Sequence, residues 1–335
     1  MLLRIVKTGV ALALLLLFAG LLFVSVELYR PLNIPGDKAV FLVERGEGAS
    51  SVARTLKDRG YIRARLPFLA AYRLFFHPAK IKAGEYELTA PLRQKGLIDI
   101  LVKGRVMLHP VTVPEGLTAR ETLPLFAPLL AGGEEGAESA LRDTRPLVGV
   151  DDQAVDLEGY LFPETYFFPR GVSAAEVVGA MVDQFKSVFG ERWRKRAAEL
   201  RMSVRETVTL ASLIEKETSL AAEMRLVSAV FHNRLKIGMK LDCDPTIIYA
   251  HKLQGTYSGQ LLRRDLALDS PYNTYLHAGL PPGPICSPGR EALEAAIFPA
   301  AESYLYFVAD ERGGHRFSRT FSEHAAAVRA YRTRR

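Results

Sequence analysis

Residues 8–26 of this chain, TGVALALLLLFAGLLFVSV, carry no charged side chain, and that run constrains the arrangement of everything after it. Nineteen uncharged residues wound as a helix reach across the hydrocarbon of a bilayer, and a helix apolar on all sides has no polar face to turn to water. The run is read as a transmembrane anchor over 8–27. A cleaved signal peptide is the competing reading, but its apolar region would be shorter, and no small-x-small cleavage pattern follows at 25–29. Arg4 and Lys7 precede the span, which predicts a cytoplasmic tail (1–7) and places the rest of the chain outside an inner membrane.

The chain has 335 residues, and the part beyond the anchor is long enough for two domains with cores of their own. Lys and Arg outnumber Asp and Glu by 44 to 37, a net charge of +7. The excess is scattered, with no basic helix interleaved with aromatics, and the topology removes nucleic acid as a partner. The two cysteines, Cys243 and Cys286, would be free to pair in an oxidising compartment, but their spacing says nothing about proximity. With no CxxC and no HExxH, neither a metal nor a cofactor is expected.

Past a linker at 28–37, small elements alternate. A strand at 39–44, helices at 50–59 and 66–76, a strand at 84–89 and a helix at 92–102 are predicted from period and turn signals. Strand, turn and helix recur at 110–126, where VTVPEGLTARETLPLF echoes FLVERGEGASSVARTL. Residues 132–152 read as a loop or weak helix, and the aromatic run EGYLFPETYFFP at 158–169 as core packing more than a sugar-stacking platform. Helices are predicted at 174–189, 191–200, 204–218 and 220–235, and a short one within 240–269. A proline- and glycine-rich ordered loop covers 270–288. Strands at 304–309 and 315–318 and a helix from 321 close the chain.

The helix at 204–218 is the most informative. Ser203 and Glu206 form a capping box. At 100° per residue Val204, Val208, Ala211 and Glu215 share one line, widened by Leu210, Leu213 and Ile214. Glu215 thus ends an apolar line, where burial raises a carboxyl pKa and keeps it protonated, as a general acid requires. Glu217 lies 200° round the helix and is expected to be the better solvated. The competing reading is that Glu215 is ion-paired to Arg225 or Arg234, since structural pairs perturb pKa values too.

Seven strings in order resemble the endolytic murein transglycosylases of the YceG-like family: EGYLFPETY at 158–166, ASLIEKET at 211–218, FHNRLKIGMKLDCDPTIIY at 231–249, SPYNTY at 270–275, GLPPGPICSPG at 279–289, YLYFVAD at 304–310 and GGHRFS at 313–318. The resemblance implies an α+β fold: one N-terminal transmembrane helix, a small LysM-like α/β subdomain (38–108) and a larger mixed α+β catalytic domain (109–335). It implies cleavage of the N-acetylmuramic acid to N-acetylglucosamine bond inside nascent glycan strands, with Glu215 as the catalytic acid. It also implies peptidoglycan as substrate and penicillin-binding synthases as partners. Such an enzyme needs one acid, where most glycosidases need two carboxylates. Expected substrate contacts are Asp244, Thr246, Tyr272, Asn273, Thr274 and Tyr275, with Glu158 and Tyr160 further off; Asn273 serves equally well as a turn residue. Asn233 and Arg234 read as structural bridges from helix to loop. A lysozyme-like hydrolase pairing Glu215 with Asp244 or Glu164 is an alternative. A non-catalytic, membrane-anchored peptidoglycan-binding protein that recruits synthases is another.

Overall fold

The computed structural model describes residues 2–133, 136–311 and 313–333, with no side-chain description for 2–5. It divides into two compact units, Met1–His109 with Phe167–Gly171, and Pro110–Tyr166 with Val172–Arg335.

In the smaller unit the apolar run forms α1 (Leu2–Tyr29), whose stretch Val6–Tyr29 is long and apolar enough to cross a membrane. Its side chains point outward: Leu16 is 64% exposed and Phe18 66%. Beyond it come β1 (Lys38–Val43), α2 (Ala49–Asp58), α3 (Arg65–Phe75), β2 (Gly84–Thr89) and α4 (Gln94–Lys103). β1 and β2 are antiparallel, with Phe41 opposite Tyr86 and Ala39 opposite Leu88. Alternation along β1 sends Phe41 and Val43 inward and leaves Val40 and Leu42 exposed. Phe41 and Val43 pack with Val52 and Leu56 of α2, Phe68 of α3 and Leu97, Ile98 and Leu101 of α4. The stretch 28–37, expected as a linker, belongs to this unit. Leu28 and Ile34 are in its core, and the Leu32 and Asn33 amides donate to the carbonyls of Leu92 and Tyr61. Its apolar residues make this segment a strap and not a tether.

The larger unit is mostly helical. β3 (His109–Thr112) leads to α5 (Ala119–Thr122), shorter than the helix expected there. The chain tightens into a 3₁₀ turn at Leu123–Phe126, where Pro124 offers no amide to continue an α-helix. α6 (Ala137–Arg142) forms within the expected weak helix, of which Glu134 and Glu135 lie outside the described residues. β4 (Thr165–Phe168), of which Thr165 and Tyr166 belong to this unit, pairs with β3. Then come α7 (Ala174–Val188), α8 (Glu191–Glu199), α9 (Val204–Glu217), α10 (Ala221–Lys236), α11 (Asp244–Gln254), α12 (Arg290–Ile297), the antiparallel pair β5 (Tyr306–Ala309) and β6 (His315–Ser318), and α13 (Phe321–Thr333). In the aromatic run Tyr160, Phe162 and Tyr166 are buried, so its weight is core.

α9 is the central helix. Ser203 and Glu206 close its N-terminus reciprocally, and every residue from Thr207 to Ile214 is buried. α12 packs against it along one side, with α10, α11 and α8 around the rest. α12 is absent from the elements predicted above: its eight residues are too few to show a helical period beside a proline-rich loop. Its Ala292, Leu293, Ala295, Ala296 and Ile297 are all buried.

Candidate active site

The last turn of α9 carries Glu215, and the N-terminus of α12 arrives opposite it. Gly289, the N-cap residue of α12, donates its amide to Oε2 of Glu215 at 3.0 Å. An unpaired amide at a helix start, aligned with the helix dipole, is a natural partner for a carboxyl oxygen. Desolvation of the half-buried carboxyl nonetheless dominates and raises the Glu215 pKa to about 7. The Gly289 amide and the Lys216 charge pull it down, while the charges of Glu115 and Glu291 push it up. Among the described residues no Lys, Arg or His lies within ion-pair distance of Glu215. The ion pairs of the competing reading are not formed: Arg225 donates to the Phe298 carbonyl, and Arg234 is occupied elsewhere.

Three segments of chain assemble around this acid. Ser212, one turn before Glu215, donates to the Thr209 carbonyl at 2.7 Å and accepts the Ile285 amide at 3.0 Å. The Cys286 thiol contacts the Ser212 carbonyl at 3.5 Å. Ser287 and Leu117 bind the turn at 114–117 to this loop: Gly116 N–H donates to Ser287 O at 2.9 Å, and Ser287 N–H to Leu117 O at 2.8 Å. Gly116 adopts φ +76, a left-handed conformation that glycine reaches without strain. Its carbonyl accepts Lys216 Nζ at 3.1 Å. A pocket of about 100 Å³ opens beside Lys216, lined by Gly116, Thr118, Pro245, Ile248 and Tyr249.

Glu217 corrects the expectation of better solvation. Burial pushes its carboxyl pKa up, and it is hydrogen-bonded to the Cys243 thiol, with Asp244, His315 and Arg234 facing it. A helix wheel represents α9 alone; the segment leading into α11 and the β5–β6 hairpin close over this face. Arg234 joins the same cluster, donating to the carbonyls of Leu305, Leu241 and Lys240 and pairing with Asp242 at 3.4 Å. Asn233 donates to the carbonyls of Glu302 and Tyr304. Both act as the expected bridges. Cys243 and Cys286 are free and buried, so no disulfide forms between them.

The expected substrate contacts fall into two groups. Asp244, Thr246, Thr274 and Tyr275 gather beside Glu217: Tyr275 Oη donates to Asp244 Oδ1 at 2.6 Å, and the Thr246 and Thr274 hydroxyls are 3.1 Å apart in the interior. Asn273 is fully buried; it donates to the carbonyls of Leu266 and Leu268 and accepts the Tyr275 amide, the work of a turn residue. The second group surrounds α5. Glu158 accepts the Ala119 amide at 3.0 Å and the Tyr249 hydroxyl at 3.3 Å, and burial raises its pKa to about 8. Tyr272 packs on Tyr249, ring centroids 5.0 Å apart. Tyr160 donates to Asp151, which also pairs with Arg205. Glu158 and Tyr249 line a second pocket, of about 200 Å³, with Arg120 and Arg142. Neither second carboxylate of the hydrolase alternative faces Glu215: Asp244 stands by Glu217, and Glu164 is exposed. The residues that do face it, Glu115, Gly289 and Lys216, are absent from the expected set. An acid inside the turn Pro114-Glu115-Gly116 and a glycine ahead of REALEAAI are the signals the sequence offers for them.

One half-buried acid at a helix end is held by a backbone amide, with a pocket beside the neighbouring Lys216, an arrangement chemically able to give and take a proton. The YceG-like family model matches residues 41–330, and the chain belongs to that family. It is 30% identical over 333 residues to the endolytic murein transglycosylase of Bacillus subtilis, covering 94% of this chain and 91% of the relative. The Streptococcus pneumoniae protein of the same name is 28% identical over 316 residues, covering 85% of this chain and 56% of the longer relative. A 2.6 Å crystal structure of a YceG-like protein from Listeria monocytogenes superposes with a TM-score of 0.58 at 29% identity, covering 87% of this chain and 99% of that one.

Proposed function

We propose that this protein is an endolytic peptidoglycan lytic transglycosylase, a lyase that cuts the β-1,4 bond between N-acetylmuramic acid and N-acetylglucosamine within nascent strands. The observation that carries the chemistry is Glu215, half-buried, with no cation in ion-pair contact among the described residues and with its pKa raised to about 7. A general acid works best when its pKa is near the working pH.

Because Oε2 accepts the Gly289 amide, the transferable proton resides on Oε1. Oε1 gives it to the glycosidic oxygen as the bond to the muramic acid C1 breaks. The resulting carboxylate is stabilised by the Gly289 amide. It then takes the proton from the muramic acid C6 hydroxyl as that oxygen bonds to C1. The products are a 1,6-anhydromuramic end and a free 4-hydroxyl on the departing N-acetylglucosamine. The proton balance closes on one carboxyl group and no water is consumed.

α1 anchors the protein as a single-pass inner-membrane protein with its N-terminus cytoplasmic, supported by Arg4 and Lys7 ahead of the span. The order β1-α2-α3-β2 with antiparallel strands supports a LysM-like, glycan-binding role for the smaller unit. Asp244, Tyr272, Tyr275 and Glu158 remain the proposed saccharide contacts, with Tyr160, Thr246, Asn273 and Thr274 shaping the loops that bear them. Termination of elongation beside penicillin-binding synthases completes the reading.

The test is the mass of the products released from uncrosslinked glycan by the full-length protein in detergent. The expected products are anhydro-ended, one water lighter than hydrolysis products, and are lost in Glu215→Gln. Products carrying the extra water, or an active Glu215→Gln protein, would overturn the reading.

A further inference from the structure

Gly289 has an unremarkable backbone, φ −75 and ψ 178, which any residue adopts, so the backbone does not explain its glycine. A neighbour does: a Cβ on Gly289 would overlap the carboxylate of Glu115. The same glycine donates its amide to Glu215. Two acids from distant parts of the chain therefore meet at one residue, one at its Cα and one at its N–H.

The Glu115 turn is strapped in place from both sides. Its next residue, Gly116, is hydrogen-bonded to the segment leading to Gly289 through Ser287, and to α9 through Lys216, the residue beside Glu215. A loop held by these bonds presents a fixed charge. We propose that Glu115 is a positioning residue of the reaction: its carboxylate, wedged against Cα of Gly289, fixes the amide used by Glu215 and, as an anion, keeps the proton on Glu215 until a glycan oxygen takes it. This rests on the reading of Glu215 as the general acid.

The electrostatics agree with the geometry. Glu215 is faced by Glu115 from the turn, Glu291 from α12, Lys216 from its own helix and the Cys286 thiol from the preceding loop. Two like charges against one cation disfavour a further anion. Glu115 has its own pKa raised, by partial burial and by Glu291, yet it reaches solvent more than Glu215 does. Of two interacting carboxyls the better solvated ionises first and the other retains the proton.

The experiment is the pH dependence of anhydro-product formation by full-length wild type, Glu115→Gln, Glu115→Asp and Glu215→Gln, with thermal unfolding of each as a check on folding. Wild type loses activity as pH rises and Glu215 ionises. Removing the Glu115 charge moves that alkaline limb to lower pH by roughly half a unit or more, so the loss in Glu115→Gln is several-fold greater at pH ~8 than at pH ~5.5. Glu115→Asp keeps the charge and leaves the limb in place, at a lower rate. A Glu115→Gln profile scaled down evenly at all pH, or one identical to wild type, would overturn the proposal. An active Glu215→Gln protein overturns the acid assignment itself, whereas an inactive one alongside an unmoved Glu115→Gln limb overturns only the positioning role.

Discussion

The last turn of α9 holds two acids, Glu215 and Glu217, and the roles proposed for them rest on how their surroundings differ. Glu215 faces a backbone amide, two other carboxylates and one lysine whose ammonium is turned to the Gly116 carbonyl. Glu217 faces a thiol, an aspartate, a histidine and Arg234. Burial raises both pKa values, so burial alone does not mark a catalytic acid. The distinction lies in the company: Glu217 has a thiol and the charges of His315 and Arg234 beside it, while Glu215 has one backbone amide, two like charges and a lysine whose ammonium bonds elsewhere. Nearby cations favour the ionised form of a carboxyl, whereas like charges with a single donor favour the protonated form that an acid needs.

The variants that break this contrast differ in what they cost. Glu215→Gln removes the proton and keeps the shape, and anhydro-product formation is expected to fall by about a hundredfold or more with the melting temperature unchanged; product chromatography and calorimetry check the two halves. Next, Arg234→Ala leaves the Leu241, Lys240 and Leu305 carbonyls and Asp242 without their donor. A loss of about 3 kcal/mol of stability is expected, read by denaturant unfolding. Glu217→Gln has the smallest effect on turnover, with activity kept within a few-fold of wild type, because the amide can still bond within the network. If it silences the enzyme as thoroughly as Glu215→Gln, the distinction between the two acids is lost.

Much of this contrast is legible in the sequence, and the parts that are not share one physical reason. The capping box and the apolar line of α9 follow from residues close together in sequence and from helix period. The strands at 39–44 and 84–89 are equally local, read from period and turn signals, whereas their pairing is not. The solvation of Glu217 is not, because a helix wheel carries no information about the elements that close over it, here the segment around Cys243 and the β6 residue His315. The same blindness hides Glu115 and Gly289, which lie 100 and 74 positions from Glu215 and meet it only through the packing of α12 on α9. Residues 28–37 read as a linker because proline and glycine lie among them, whereas Leu28 and Ile34 hold them to the small unit. Activity is accordingly best measured on the full chain, since a cut after Arg30 would remove Leu28 from a core.

Glu215, in the proposed reaction, works as an acid because it keeps its proton near neutrality, and the pH dependence of wild-type turnover measures this directly. With the Glu215 pKa raised to about 7, the protonated form dominates below that value and is lost above it. Initial rates of anhydro-product formation from about pH 5 to 9 should therefore fall on the alkaline side with a midpoint near 7. A rate that climbs or stays level through pH 7 to 9 would contradict a protonated Glu215 as the working form.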